Sequence, residues 1–98
     1  MNIQAMMKQA QSLQKDMIKT KNEIDAMEFE AESSLVKVVM SGNKILKNVT
    51  LNKENNLETD DLEMLEDMIL VAVNDAIGQI DKITEQKMNK FGNIPGLM

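Results

Sequence analysis

The sequence predicts an α+β fold with the element order α-β-β-β-α, in which two helices flank an antiparallel sheet of three strands. Apolar residues recur at helical spacing over the first 27 residues and again over residues 60–90. The segment between them alternates apolar and charged residues and then becomes rich in β-branched ones. A chain of 98 residues is enough for a single domain, 1–98.

The first helix is predicted over residues 2–26. Its apolar positions follow one another in alternating steps of three and four, which is the spacing of a coiled-coil seam, and no Gly or Pro interrupts them. We call these positions the seam: Ile3, Met6, Ala10, Leu13, Met17, Thr20, Ile24 and Met27. A helix of this length measures about 37 Å. A small sheet cannot cover such a rod, so we expect part of it to project from the body.

Three strands are predicted over residues 27–33, 35–41 and 44–51. In the first, Met27, Phe29 and Ala31 alternate with glutamates, so that one face is buried and the other is wet.

The last two strands are predicted to form a hairpin around a two-residue turn at Gly42-Asn43. That turn would place Ser41 opposite Lys44, Met40 opposite Ile45 and Val36 opposite Val49. The apolar face would then hold Val36, Val38, Met40, Ile45, Val49 and Leu51, with Lys47 as its one polar member. We expect this face to pack against a helix.

The second helix is predicted over residues 60–90, with Thr59 or Asp60 as its cap and a flexible tail over 91–98. Gly78 costs about 1 kcal/mol against Ala in a helix and would suit a close helix approach. The middle of this helix is apolar nearly all round, which indicates burial on two sides. We expect the second side to face another copy of the chain in a homodimer. The predicted interface residues are Ile69, Val73, Ala76, Ile77 and Ile80.

Composition excludes most kinds of catalytic site. The chain has no Cys and no His, so it lacks a thiol nucleophile, a disulfide and an imidazole for metal binding or general base catalysis. The paired carboxylates at Asp60-Asp61 suit a helix start, and the four glycines are too scattered for a phosphate-binding loop. We therefore expect no enzyme activity, no cofactor, no metal and no small-molecule substrate. No signal peptide or membrane span is predicted, which indicates a cytoplasmic protein without a membrane partner.

The charges are blocked along the chain. The net charge is −5, and all 11 basic residues are lysines. Residues 1–21 nevertheless hold four lysines against Asp16 alone, so a local positive surface can exist. Lys8, Lys15 and Lys19 fall with Gln11 on the side of the first helix that faces away from the seam. That face is either a solvated surface or a contact surface for a polyanion.

Three segments of the chain carry a family resemblance. "MKQAQSLQKDM" at 7–17, "LVKVVMSGNKILKNVTL" at 35–51 and "DDLEMLEDMILVAVNDA" at 60–76 resemble the YbaB/EbfC family of bacterial nucleoid-associated proteins. The resemblance implies a tweezer-like homodimer whose projecting first helices bind duplex DNA with low sequence specificity. It further implies a place in the nucleoid and a role in nucleoid organisation or gene regulation.

Carried over by position, the resemblance assigns DNA contact to one face of the first helix, with assistance from the second. The residues are Lys8, Gln11, Lys15, Lys19, Lys82 and Lys87, with Gln4 and Lys90 as further members. Two features depart from the family pattern: "AESS" replaces a Gly-rich turn between the first two strands, and arginine is missing. DNA contacts made by lysine amines alone predict weak binding that is directed to phosphates, with an affinity that falls as the salt concentration rises.

A second reading of the first helix uses the seam instead of the lysines. If the helix projects, its apolar stripe is partly exposed and could clasp a helix of another protein or of another copy. The chain would then be a protein-interaction module. A helical-arm chaperone would suit the ten methionines, although no particular residue favours it.

Overall fold

The structure is a computed structural model that describes residues 2–52 and 57–92. Its elements are α1 (Ile3–Ala26), β1 (Glu28–Ser33), β2 (Val36–Ser41), β3 (Leu46–Leu51) and α2 (Leu62–Met88), with short 3₁₀ helices at Thr59–Asp61 and Asn89–Phe91. The strands form one antiparallel sheet in the order β1-β2-β3. The predicted α-β-β-β-α order is confirmed. Residues 53–56, which precede the second helix in the sequence, and the part of the predicted tail beyond residue 92 lie outside the described residues.

Helix α1 is anchored only by its last ten residues, from Met17 onward. The Asn2 side chain caps its start, accepting hydrogen bonds from the backbone N–H groups of Gln4 and Ala5. Met17, Thr20 and Ile24 are its buried residues, whereas residues 2–16 are all exposed. We call residues 3–16 the arm. The radius of gyration is 19.5 Å, against about 13 Å for a compact chain of this size, so the predicted projection of α1 is confirmed.

The main core lies between α2 and the first two strands. Phe29 and Ala31 of β1 are buried and the glutamates between them are exposed, as the alternation predicts. The buried set consists of Phe29, Ala31, Val36, Val38, Met40, Leu65, Ala72, Ala76 and Ile80. Helix α2 packs chiefly on β1 and β2. The third strand is exposed along most of its length.

A second, smaller cluster fixes α1 to the end of α2. Met17 and Ile24 of α1 are buried together with Met88, and Phe91 packs against them. The prediction of a flexible tail from residue 91 is therefore wrong for Phe91, whose ring has an apolar partner. Lys21 lines the same cleft as Thr84, while Met17 meets Met88. The two helices consequently run antiparallel, and the arm extends beyond the carboxyl end of α2.

The predicted register of the second hairpin is wrong. Val36 pairs with Leu51 and Val38 with Val49, and a bulge then shifts the register so that Met40 pairs with Leu46. The turn is longer than two residues because Gly42 is engaged elsewhere: its N–H donates to the Met27 carbonyl at the end of α1. The left-handed residue of the turn is Lys44, with φ 65°.

The bulge also accounts for Lys47. In the predicted register this lysine interrupts the apolar face of the hairpin, whereas the observed register passes from Asn48 to Leu46 and leaves Lys47 without a direct partner across the strands. Lys47 is exposed. One extra residue in the strand thus keeps a lysine out of the apolar row.

Two expectations about α2 also change. A capping box of Glu58 and Asp61 starts the 3₁₀ helix Thr59–Asp61, with the Asp61 side chain accepting a hydrogen bond from the Glu58 N–H. Helix α2 follows directly with Asp61 as its N-cap, in place of the predicted Thr59 or Asp60. Gly78 marks no close approach within the chain, since a Cβ built there would meet nothing within 4 Å.

A tight turn joins β1 to β2. Ser33 pairs with Val36, so that only Ser34 and Leu35 lie between the strands. Ser34 has φ 52°, in the left-handed region that suits glycine and strains most other residues. This is the first central position of the two-residue turn, where glycine is preferred.

Replacing Ser34 by glycine should therefore stabilise the fold. We expect Ser34→Gly to raise the free energy of unfolding by about 0.5–1 kcal/mol, since it relieves a left-handed side-chain strain. Urea denaturation followed by circular dichroism measures this change. Ser33→Gly is the matched control, because Ser33 lies in the strand and has no positive φ; it should destabilise the fold. A fall in stability with Ser34→Gly would contradict the strain argument.

Candidate nucleic-acid interface

One face of α1 gathers the predicted contact residues. Lys8, Gln11, Lys15 and Lys19 are all exposed. Lys8 and Lys15 are two helical turns apart, and Lys19 follows one turn later, so the three amines form a row along the helix about 16 Å long. Because Met17 and Ile24 hold the opposite side of α1 against α2, this row faces solvent. The structure therefore brings the four residues together on one surface.

The amines of this row are free of carboxylate partners. Within residues 2–52 and 57–92, three lysines form ion pairs: Lys21 with Asp25, Lys37 with Glu30 and Lys44 with Asp81. No carboxylate of that part of the chain lies within 4 Å of the amines of Lys8, Lys15 or Lys19. Their positive charge is therefore available to an external anion without the cost of breaking an internal pair.

The lysines of α2 do not form a comparable row. Lys82 and Lys87 are both exposed. They are five residues apart, which places them about 140° apart around the helix, so they do not share a face. Lys90 lies over the ring of Phe91, with its Nζ 5.1 Å from the ring centroid. The structure thus separates these residues from one another, and the row on α1 is the only ordered set among the candidate lysines of the described residues.

The structure divides the five residues of the predicted dimer interface into two groups, one fully buried and one half-buried. Ala76 and Ile80 are 0% and 1% exposed in the single chain, so they have no surface left to offer to a partner. Ile69, Val73 and Ile77 are half-buried at the edge of the same core. Sequence reasoning predicted the third strand but did not foresee that its apolar row stays uncovered: Leu46 and Val49 are exposed.

Two contacts show which flank of α2 faces β3. The side-chain amide of Gln79 donates to the backbone carbonyl of Glu30 on β1. On the other flank, Lys44 in the turn between β2 and β3 pairs with Asp81 at 2.7 Å. Since Ile77 precedes Asp81 by about one turn, Ile77 lies on the flank toward β3.

This flank continues into an uncovered apolar surface. Leu70 lies two turns before Ile77 on the same side of α2 and is 60% exposed. Beside it, β3 leaves its own apolar side chains uncovered. We call this combined surface the open face: Leu46, Val49 and Leu51 of β3 with Ile69, Leu70, Val73 and Ile77 of α2. An apolar surface that runs over two elements marks a site for a protein partner.

The fold and its surfaces define an elongated α+β protein with a lysine-bearing helical arm and an open apolar face on its body. Neither helix in the described part of the chain is long and apolar enough to cross a membrane. The chain belongs to the YbaB/EbfC DNA-binding family, whose model matches residues 1–94.

Relatives agree with this assignment. A "nucleoid-associated protein" of Ligilactobacillus salivarius is 45% identical over 99% of this chain and 95% of its own length. A protein of the same description from Lactococcus lactis subsp. cremoris is 47% identical over 93% of each chain. The crystal structure of an uncharacterized protein of Helicobacter pylori superposes with a TM-score of 0.75, covering 94% of this chain and 99% of its own. At 15% identity, that structure supports the fold alone.

Proposed function

We propose that this protein is a nucleoid-associated protein that binds duplex DNA through its projecting arms. The observation that carries the proposal is the row of three unpaired amines on the exposed face of α1, beginning at Lys8 and ending at Lys19. The family's description and the names of its relatives support DNA as the ligand.

The chemistry of this row favours phosphates over bases. A lysine amine is a compact point charge on a flexible stem, and the chain has no arginine to make bidentate contacts to guanine. Contacts of this kind position a protein on the duplex without reading its sequence. Low sequence specificity, a place in the nucleoid and a role in nucleoid organisation or gene regulation follow from such binding.

The proposal includes a homodimer formed through the open face. A single chain leaves this apolar surface in water, and burying it contributes roughly 25 cal/mol for each Å² of apolar area removed from solvent. The pairing of two copies would also double the number of arms. Two arms that bind one duplex gain from the second contact being intramolecular, so that weak lysine contacts add up to useful affinity.

A second candidate function rests on the seam. Ile3, Met6 and Leu13 are exposed on the arm, on the side opposite the lysines. An apolar stripe of this spacing can take a partner helix in a coiled-coil contact. The protein would then be an interaction module whose arms clasp helices of other proteins.

DNA binding should show the salt dependence of phosphate contacts. If two arms together neutralise four to six phosphates, log K should fall against log salt with a slope of about −4 to −5. The triple variant Lys8→Glu, Lys15→Glu, Lys19→Glu should abolish binding and keep the fold, because these exposed side chains form no ion pair within residues 2–52 and 57–92. A mobility-shift titration over a salt series measures both effects. A dimer that shifts no duplex at low salt would contradict the proposal.

Single neutral variants provide a matched comparison. Lys15→Gln should reduce the magnitude of the salt slope by about 2 for a dimer, roughly one unit for each lysine lost. Lys47→Gln removes an amine of the body that is also exposed and forms no ion pair with the described residues, and it should leave the slope nearly unchanged. Equal effects of the two variants would show that the arm has no special role.

The open face can be tested with two neighbouring residues of α2. Leu70 is 60% exposed and Val71 is 58% exposed, but Val71 lies about 100° further round the helix and away from β3. Leu70→Lys should place a charge in the interface and halve the mass measured by light scattering at micromolar concentration. Val71→Lys should leave the dimer mass unchanged. The reverse pattern would place the interface on the other flank of α2.

The second candidate predicts a separate phenotype. Leu13→Gln combined with Met6→Gln should cut capture of a partner protein in a pull-down while the DNA shift persists. Met17 is unsuitable for this test, since it is buried against Met88 and its loss would loosen the anchor of α1. Loss of DNA binding in the Leu13 and Met6 variant would show that the seam and the lysine row serve the same function.

A further inference from the structure

We propose that Gly42 is a positioning residue for DNA binding, because it sets the angle at which the arm leaves the body. The inference rests on the proposed function, in which the arms hold the duplex. Gly42 lies in the turn after β2, where the turn touches the end of α1. Its N–H donates to the Met27 carbonyl at 2.9 Å.

The contact at Gly42 leaves no room for a side chain. A Cβ built there would lie 1.7 Å from the Ile24 carbonyl oxygen and 2.5 Å from its carbonyl carbon. Both atoms belong to the backbone, so no side-chain rotation relieves the overlap. Gly42 does not have a positive φ. Glycine is therefore required at this position by the approach of α1 and not by the conformation of the turn.

The turn itself is held firmly in place. The Ser41 N–H donates to the Ile45 carbonyl at 2.9 Å, and the Lys44 N–H donates to the Ser41 carbonyl at 2.8 Å. The Lys44 amine is in turn paired with Asp81 of α2. A side chain at position 42 would therefore displace the end of α1 more readily than it would displace the turn.

A second contact converts that displacement into rotation of the arm. Met17 is buried against Met88 and Phe91 at the carboxyl end of α2. Met17 and Ile24 are seven residues apart, which is about 10 Å of helix. A shift of roughly 1.7 Å at Ile24 would bring a Cβ at position 42 to the 3.4 Å at which ordinary contact begins, and it would tilt α1 by about 9° around Met17. Ala5, twelve residues beyond Met17, would move by about 3 Å in the opposite direction.

This tilt of α1 would move part of the lysine row. Lys8 and Lys15 lie on the free side of Met17, so they move with the arm. In a dimer both arms would tilt, and the distance between their lysine rows would change by up to twice the movement of one arm. Because bivalent binding requires that both arms engage together, a change at Gly42 would weaken DNA binding without touching any lysine.

The position of the arm can be measured within one chain. The protein contains no cysteine, so paired spin labels can be introduced at Ala5→Cys with Asn74→Cys on α2, and at Ala5→Cys with Asn48→Cys on β3. Labelled chains are diluted into unlabelled ones, so that only distances within a chain are read. In Gly42→Ala, at least one of the two mean distances should shift by about 2–3 Å. Gly78→Ala is the matched control, since its Cβ meets nothing within 4 Å, and it should shift neither.

The functional consequence is measured on the unlabelled proteins. Gly42→Ala should weaken binding of duplex DNA at least about fivefold, while light scattering shows an unchanged dimer and Gly78→Ala binds as the wild type does. Unchanged distances in Gly42→Ala, or shifted distances with unchanged affinity, would overturn the role of Gly42. A wild-type dimer that binds no duplex would instead contradict the proposed function.

A variant away from the turn covers the case in which Gly42→Ala does not fold. Phe91→Ala removes part of the apolar cluster that holds Met17 and leaves the contact between Gly42 and the end of α1 intact. The arm should then swing about its remaining contact, so that both distance distributions broaden and DNA affinity falls. Distributions as narrow as those of the wild type would show that these two contacts do not set the arm.

Discussion

The packing of the last ten residues of α1 against the end of α2 is the contact on which the rest of the architecture depends. Met17 and Ile24 meet Met88 and Phe91 there, and the remainder of α1 has no partner in the described part of the chain. A helix of 24 residues held at one end becomes a lever. The exposure of the lysine row and of the seam follows from this one-sided anchoring, and the proposed effect of Gly42 depends on the same lever.

The body of the protein does not cover all of its own apolar surface. Helix α2 covers two strands of a three-stranded sheet, and the third strand keeps an apolar row in water. A chain of 98 residues with two aromatic residues has little apolar material with which to cover that row itself. In the proposed homodimer, a second copy would present the same surface, and an isologous contact would bury this row in both copies at once.

Periodicity predicted the elements well, because it reports which side of a helix or strand is apolar. It does not report how much of that side is covered. The seam has one unbroken rhythm from Ile3 to Met27, yet only its second half, from Met17 onward, is covered. For the same reason Ala76 and Ile80 were assigned to a partner although their own sheet covers them.

The register of the second hairpin failed for a different reason. Gly42-Asn43 resembles a tight-turn signal, but the glycine serves a contact with Met27 that is distant in sequence from the turn. Local turn preference cannot reveal such a contact. The lysine row was easier to predict, since residues two turns and one turn apart on an exposed helix share a face whatever the body does. The partner for that row came from the family resemblance and not from the spacing of the lysines.

A protein of net charge −5 is expected to repel DNA. The distance between its acidic segment and its arm accounts for how the arm could still attract a duplex. Because α1 and α2 run antiparallel, the arm extends past the carboxyl end of α2, whereas the acids between Glu58 and Asp67 lie at its other end. Those two ends of α2 are about 39 Å apart. Lys8 lies a further 13 Å or so beyond Met17 along α1. The Debye length at physiological salt is about 8 Å, so the acidic end is screened from the arm. In the proposed binding mode, a duplex at the arm would therefore meet the local charge of the lysine row, with Asp16 beside it, and not the net charge of the chain.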